Sequence, residues 1–235
     1  MSTSSAQFID SVLRLRPQIA AFDCDGTLWS DDVGERFFDW EIREGIVSPE
    51  LGQAMRARYS EYRAGNVAEE QMCAEMVTMN RGLPESKLLE ATAYYFEHVF
   101  PGKIFLEMRE IIARLQDAGC DVWAVSASNE WIIRAAMRHF NIPENRILAS
   151  AVEIDNGIIT DRLICVPSGA GKPQALREVV KKQIDAAFGN SRFDTEMLAM
   201  AKSAFAINPN PDLESVACER GWQIYFPNGT GPRPQ

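Results

Sequence analysis

Short apolar runs alternate with amphipathic stretches of helical length along this 235-residue chain. That alternation constrains the fold to an α/β architecture, a parallel sheet with helices on both faces. Gln18 to Phe22 reads as the first strand, and the stripe Ile104, Phe105, Met108, Ile111, Ile112, Leu115 as a helix ended by Gly119. Cys120 to Val125 reads as a second buried strand, and Trp131 to Phe140 as a helix. Ile147–Ile154 and Ile158–Val166 are extended runs joined by Asp155-Asn156-Gly157, a hairpin signal. Lys172 to Lys182 is helical, with Pro173 suited to its first turn. Ile184 to Gly189 is a third buried strand, and Asp194 is placed to cap the helix carrying Met197, Leu198 and Ala201. Ala204 to Ile207 is a short strand, and Pro209-Asn210-Pro211 breaks the chain before another helix.

Residues 31–98 depart from this pattern. Their signals are mostly helical, with Phe37, Phe38, Trp40, Tyr59, Tyr62, Met72, Met76 and Met79 spread among them. The expected organisation is a core of residues 1–30 and 99–235, with a helical cap, read as a lid, inserted over 31–98. Gly229 to Gln235 is rich in Gly and Pro and reads as a loose tail.

The net charge is −9, from 24 basic against 33 acidic side chains, which argues against nucleic acid or an anionic membrane as partner. No stretch approaches the roughly 20 apolar residues of a membrane helix. Met1-Ser2-Thr3-Ser4-Ser5 lacks the basic region and apolar core of a signal peptide. The five cysteines are scattered without CxxC spacing, and His98 and His139 have no zinc-ligand spacing. A reduced, cytoplasmic protein is expected, monomeric or homodimeric.

The chemistry concentrates where the first strand ends. The apolar run Ile19-Ala20-Ala21-Phe22 is closed by Asp23-Cys24-Asp25-Gly26-Thr27. A buried carboxylate pair repels itself strongly unless a metal or a shared proton neutralises it, so this stretch reads as a site built around a cation and a phosphate. Three more polar points fall at predicted strand ends or helix starts: Ser126, Lys172 and the run Gly189-Asn190-Ser191-Arg192-Phe193-Asp194. Parallel sheets place their ligands at the carboxyl ends of strands.

In order and spacing these four points resemble the motifs of the haloacid dehalogenase-like hydrolases, over about residues 17–226. The lid position and the segments Ala124–Ser128, Gly157–Asp161 and Ala206–Pro209 are similar to the phosphoserine phosphatase-like branch. The resemblance implies a Rossmann-like doubly wound core and a phosphatase acting on a small phosphorylated metabolite. Asp23 would be the nucleophile that becomes an aspartyl-phosphate, and Asp25 the general acid and base. Mg²⁺ would be held by Asp23, the Asp25 carbonyl and Asn190, with Asp194 nearby. Ser126 would donate to a phosphoryl oxygen, with Ala127 and Asn129 beside it. Lys172 would neutralise charge, and Gly26 would open the backbone for further donors.

The chain departs from that pattern in two places. The fourth motif commonly begins Gly-Asp, and here it is Gly189-Asn190, which removes a negative charge from the metal site and predicts weaker Mg²⁺ affinity. The family's partner for the serine ammonium maps near Asp32, but its carboxylate-binding arginine falls at Met76, leaving Arg56, Arg58, Arg63 or Arg81 as substitutes. Asp31, Asp32, Glu35 and Glu75, with Trp29, Phe37 and Trp40, are compatible with a cationic head group, so a phosphocholine- or phosphoethanolamine-type ester is an alternative to phosphoserine, although aromatic and Met residues at helical spacing mostly form lid core and acids mostly coat surfaces. A phosphotransferase of the same fold and a non-catalytic phosphoryl-ligand binding protein complete the alternatives.

Overall fold

The computed structural model describes residues 4–227. Asn156 and Gly157 both adopt positive φ, +48° and +78°, turning β3 (Ile147–Asp155) back into the antiparallel β4 (Ile158–Cys165) as the Asn-Gly pair predicts. Every other pairing is parallel. β1 (Ile19–Phe22) lies between β2 (Asp121–Asn129) and β5 (Ala186–Gly189), and β6 (Ser203–Ile207) and β7 (Gln223–Tyr225) follow β5. The order is β4-β3-β2-β1-β5-β6-β7. The chain therefore reverses direction across the sheet between β1 and β5, which opens a crevice at their carboxyl ends.

Alternation along each strand sorts the side chains onto two faces. Ala20 and Phe22 join the larger apolar cluster, while Ile19 and Ala21 join the other with Leu176, Met197, Leu198 and Leu213. On the first face Phe22, Phe188 and Phe205 stand in register on three adjacent strands and stack at centroid separations of 4.2 and 4.7 Å. Such pairs add about 0.5–1.5 kcal/mol each beyond their burial.

The helix α1 (Ser5–Arg14) had no counterpart in the sequence reading. Ser4 and Gln7 form a capping box, and Phe8, Ile9 and Val12 bury one face in the larger cluster. α6 (Leu106–Asp117) precedes β2, and α7 (Glu130–Met137) follows it. The expected helix to Phe140 stops at Met137, where the last turn tightens to 3₁₀ geometry over Arg138–Phe140. α8 (Gly171–Val179) ends short of Lys182 because Val180 turns extended. α9 (Thr195–Met200) and α10 (Pro211–Arg220) cover β5 to β7. The expected tail, Gly229 to Gln235, lies outside the described residues.

Four helices occupy the segment between β1 and β2: α2 (Val33–Arg43), α3 (Pro49–Arg63), α4 (Glu69–Thr78) and α5 (Glu85–His98). They divide between two clusters. Phe38, Val47, Met55, Val67, Met72 and Met79 form a small apolar centre of their own. Val33, Phe37, Trp40, Leu88, Tyr95 and Phe96 instead join the larger cluster of the sheet. The segment between α4 and α5 also runs beside the β3–β4 hairpin. Gly82 N–H donates to the Ile159 carbonyl at 2.8 Å, Ile159 N–H to Leu83 at 2.9 Å, and Glu85 N–H to Gly157 at 2.9 Å.

Candidate active site

Asp23 leaves β1 beside β5, its N–H donating to the Phe188 carbonyl at 2.9 Å. The residue is only 5% exposed. Lys172 Nζ, at the start of α8, donates to Asp23 Oδ1 at 2.7 Å, and Thr27 Oγ1 donates to Asp23 Oδ2 at 2.7 Å. Lys172 also reaches Asp194 Oδ1 at 2.6 Å and the Val125 carbonyl at 3.3 Å. One buried ammonium therefore spans two buried carboxylates, a triad whose separated members would each be costly. Burial and the Asp194 charge push Asp23 up to about 6, against the opposing pull of Lys172 and Thr27. Burial alone would lower Lys172, but Asp194 and Asp23 carry it above its ordinary value.

Asp194 does not cap α9. Its Oδ2 turns back to accept the N–H groups of Asn190 and Ser191, at 3.0 and 2.9 Å, and the Ser191 hydroxyl at 3.2 Å. The carboxylate that looks like a local cap is instead the brace of the loop after β5 and the second anchor of Lys172.

Asp25, half-buried, sits in a different environment. Its Oδ1 accepts the Trp29 indole N–H at 3.0 Å and the Val33 N–H at 2.7 Å, and its Oδ2 accepts the Ser128 hydroxyl at 2.8 Å. No cation faces it. Burial, then the neighbouring Asp32, raise it well above the usual carboxylate range despite those three donors. Two carboxylates two residues apart are thus held differently, one by a lysine and one by neutral donors.

Gly26 stands at φ +74°, and a Cβ there would lie 1.9 Å from Asn190 Nδ2. Only glycine lets the turn after Asp25 pack against the Asn190 side chain. Gly34 plays a similar part on the lid side, since a Cβ would meet Ser128 Oγ at 2.2 Å, which brings the first turn of α2 against the end of β2. Ser126 is buried, with Oγ accepting the Ser128 N–H at 3.1 Å. Asn129 uses its side-chain oxygen to cap α7 through the Ile132 N–H at 3.0 Å, and the Ala127 carbonyl accepts the Ser150 hydroxyl.

These groups line one cavity of about 390 Å³, in the range of small-ligand sites. Asp23, Asp25, Gly26, Asp32, Ser126, Ala127, Asn129, Lys172 and Asn190 all border it, so the structure gathers these expected site residues in one place; Asp194 lies behind Lys172. The helical segment 31–98 contributes Asp31, Asp32, Glu35, Tyr59, Tyr62, Glu69, Met72, Cys73 and Met76. Asp32 caps α2 by accepting the Glu35 N–H at 2.8 Å. Glu69 accepts the Ser168 hydroxyl at 2.6 Å, joining α4 to the loop before α8. Burial pushes Glu69 up to about 7, against the Ser168 hydrogen bond and the Lys172 charge.

Several side chains expected near the substrate lie elsewhere. Trp29, Phe37 and Trp40 are buried in the larger apolar cluster, and Glu75 pairs with Arg58 at 2.7 Å away from the cavity lining. Arg56 pairs with Asp39 at 2.9 Å and Arg81 with Asp161 at 2.8 Å. None of the four candidate arginines, Arg63 included, lines the cavity. Sequence reasoning in turn did not assign site roles to Thr27, Ser128, Glu69 or Ser168. Thr27 and Ser128 lie inside the recognised motifs and were legible there, whereas the Glu69–Ser168 contact joins residues 99 apart and leaves no local signal.

Among the described residues no group of three or more His, Cys, Asp or Glu side chains forms a metal cage. Asp23, Asp25 and Asn190 border the same cavity and bring to it carboxylate, carbonyl and amide oxygens, hard donors with few charges. That set fits Mg²⁺, which is usually held by one or two carboxylates, waters and a substrate phosphate.

The family profile described as haloacid dehalogenase-like hydrolase matches residues 20–199. The chain belongs to this family. Among its relatives, phosphoserine phosphatase SerB1 of Mycobacterium tuberculosis is 30% identical over 135 residues, covering 55% of this chain and 43% of that protein. The match thus spans less than half the length of that relative. The histidinol-phosphatase of Neisseria meningitidis is 23% identical over 222 residues, 88% of this chain and 97% of that protein. A solved structure of a protein of unknown function from Bordetella pertussis Tohama I has a TM-score of 0.78 at 21% identity, covering 88% of this chain and 97% of that one. That likeness shows the fold. The chain is thus a member of a hydrolase family, and the two curated relatives named here carry the names of phosphatases. No helix among the described residues is long and apolar enough to cross a membrane.

Proposed function

We propose that the protein hydrolyses a small phosphate monoester in two displacements, with Asp23 as nucleophile and Asp25 as acid and then base. The reading rests on one observation above all, the different partners of the two carboxylates. A nucleophile must be ionised and an acid must keep its proton, and paired titratable groups with divergent surroundings are how one site provides both. Burial raises both, but Asp23 is held by the Lys172 ammonium and Thr27, which favour its ionised form, while Asp25 meets only neutral donors.

In the first displacement an Asp23 oxygen bonds to phosphorus and the bond from phosphorus to the substrate oxygen breaks. Asp25 gives its proton to that departing oxygen, so an alcohol leaves and Asp23 is an acyl phosphate. In the second, water attacks phosphorus, Asp25 takes its proton, and the bond to Asp23 breaks to free inorganic phosphate. Lys172 balances charge on Asp23 throughout, and Ser126 with the N–H groups around Ala127 supplies donors to the phosphoryl oxygens. Asp23, the Asp25 carbonyl and Asn190 would hold Mg²⁺, with Asp194 nearby bracing the Asn190 loop. The ion, when bound, lets an anionic nucleophile meet an anionic ester. The helices α2 to α4 form the lid that closes over the ester and limits bulk water.

The test is phosphate release from a panel of small monoesters, with and without Mg²⁺, for the parent and for Asp23→Asn and Asp25→Asn. Turnover that needs Mg²⁺ and is lost in Asp23→Asn is expected. Activity surviving Asp23→Asn contradicts the covalent route. A new ester formed with an added alcohol, in place of free phosphate, identifies a phosphotransferase. Tight ligand binding without turnover identifies a non-catalytic binding protein with a metal site weakened at Asn190.

A further inference from the structure

The end of the cavity lined by the helical segment is acidic. Apart from Asp23 and Asp25, the acids lining it are Asp31, Asp32, Glu35 and Glu69, and among the described residues the only Lys or Arg lining it is Lys172. Lys172 is already committed to Asp23 and Asp194 at 2.7 and 2.6 Å. Asp31 is paired outward with Arg36 at 3.0 Å, which leaves Asp32, Glu35 and Glu69 without a basic partner.

Aromatic and thioether surfaces lie between these acids. Tyr59, Tyr62, Met72 and Met76 border the same space. Both phenols are raised above their ordinary value, chiefly by burial, Tyr59 then by Glu35 and Asp32, and Tyr62 then by Glu69 and Cys73. The acids and the rings therefore face one another across a single space. A cation there meets carboxylates and π-faces together, both of which attract an ammonium group.

The same geometry disfavours a carboxylate. An acid such as that of phosphoserine needs a cation, best supplied by a guanidinium in bidentate contact. Arg56, Arg58 and Arg81 are tied to Asp39, Glu75 and Asp161, and none of the lid's arginines lines the cavity. A substrate carboxylate placed among Asp32, Glu35 and Glu69 would meet acids and, among the described residues, no guanidinium.

We propose that this cavity selects phosphate monoesters of amino alcohols, substrates with a protonated or quaternary amine and no carboxylate, and that Glu69 and Glu35 determine that preference. The inference rests on the phosphatase reading above and names the substrate class of the same site. Glu69 has a particular place in it, because it stands on the first turn of α4 and is tied to Ser168, four residues before Lys172. It links the amine end of the cavity to the phosphoryl end.

The experiment is steady-state kinetics with Mg²⁺ on phosphoethanolamine, phosphocholine, O-phosphoserine and glycerol phosphate. Expected is kcat/KM for one or both amine esters at least about tenfold above glycerol phosphate and O-phosphoserine, a preference worth about 1.4 kcal/mol. The two amine esters distinguish a hydrogen-bonded ammonium from a quaternary one held by the rings. Glu69→Gln and Glu35→Gln should each lower the ratio of amine-ester to glycerol phosphate kcat/KM by about tenfold, mainly through KM. Met76→Arg, which places a guanidinium in the cavity, should shift the balance toward O-phosphoserine. Equal or better use of glycerol phosphate or O-phosphoserine by the parent overturns this inference and leaves the phosphatase reading standing. So does an unchanged ratio in both glutamine variants. No turnover of any ester by folded, Mg²⁺-supplied protein overturns the phosphatase reading itself, and this inference with it.

Discussion

Val33 donates its backbone N–H to Asp25 Oδ1 at 2.7 Å, so the first residue of α2 holds the group assigned as general acid. The helical segment between β1 and β2 is thus fastened to Asp25 by a main-chain hydrogen bond, with Ser128 Oγ on the other carboxylate oxygen at 2.8 Å. Trp29, fully buried, fixes the same carboxylate through its indole N–H.

Two substitutions test that fastening. Val33 opens a helix and follows an extended residue, so proline is compatible there and removes the N–H. Val33→Pro and Ser128→Ala should each lower kcat about 10- to 100-fold, the scale of one hydrogen bond to a charged group. Circular dichroism should show both folded. Parent-like kcat in both variants would mean that the orientation of Asp25 does not depend on these donors.

The Lys172 triad makes a separate prediction about stability. Lys172→Met leaves Asp23 and Asp194 buried together without their cation, and should cost about 3–5 kcal/mol at neutral pH, as breaking a buried ion pair does. The loss should shrink on acidification, because protonating either carboxylate relieves the repulsion. Denaturant titrations at pH 5 and pH 8 read both effects.

The sequence made the architecture readable where the local signal was also the structural cause. The apolar run ending at Phe22 is β1, and Asn156-Gly157 is the hairpin turn because both residues tolerate positive φ. The gathering of Asp23, Asp25, Ser126, Lys172 and Asn190 was legible because each stands at a strand end or helix start of a parallel sheet. Asp194 was misread because its pattern is that of a cap, while its partner Lys172 lies 22 residues back and is brought there only by the sheet. Asn129 was read toward phosphate, and it spends its oxygen on α7. The aromatic lid residues could not be apportioned between core and cavity from spacing alone: Phe37 and Trp40 went to the core, Tyr59 and Tyr62 to the cavity.

Glu41, on α2, provides a pH-dependent test away from the active site. It is fully buried, and neither carboxylate oxygen has a hydrogen-bond partner among the described residues; the neighbouring Asn80 side-chain oxygen has none either. Burial raises Glu41 well above the usual carboxylate range, with Asn80 the opposing influence. A raised group stabilises the fold below its unfolded value, about 4.5, and that contribution fades as pH rises toward its folded value. Glu41→Gln keeps the shape without the charge, so its melting temperature should exceed the parent's at pH 8 and converge with it near pH 4.5. A pH-independent gap would show that Glu41 does not titrate in this way.

Metal affinity should follow the charge at position 190. Asn190→Asp adds a carboxylate beside Asp23 and should lower the Mg²⁺ concentration for half-maximal activity by about tenfold. Gly26→Ala should act in the opposite direction, since its Cβ would lie 1.9 Å from Asn190 Nδ2 and must displace that side chain. If both variants titrate with Mg²⁺ as the parent does, residue 190 is not a ligand.

The most direct measurement is acid quench of the Mg²⁺-loaded protein during turnover of phosphoethanolamine, followed by peptide mass analysis. A phosphoryl group on the peptide containing Asp23, absent in Asp23→Asn, is the predicted result. Turnover with no trapped phosphoryl group, or with the label on a different residue, would contradict the account.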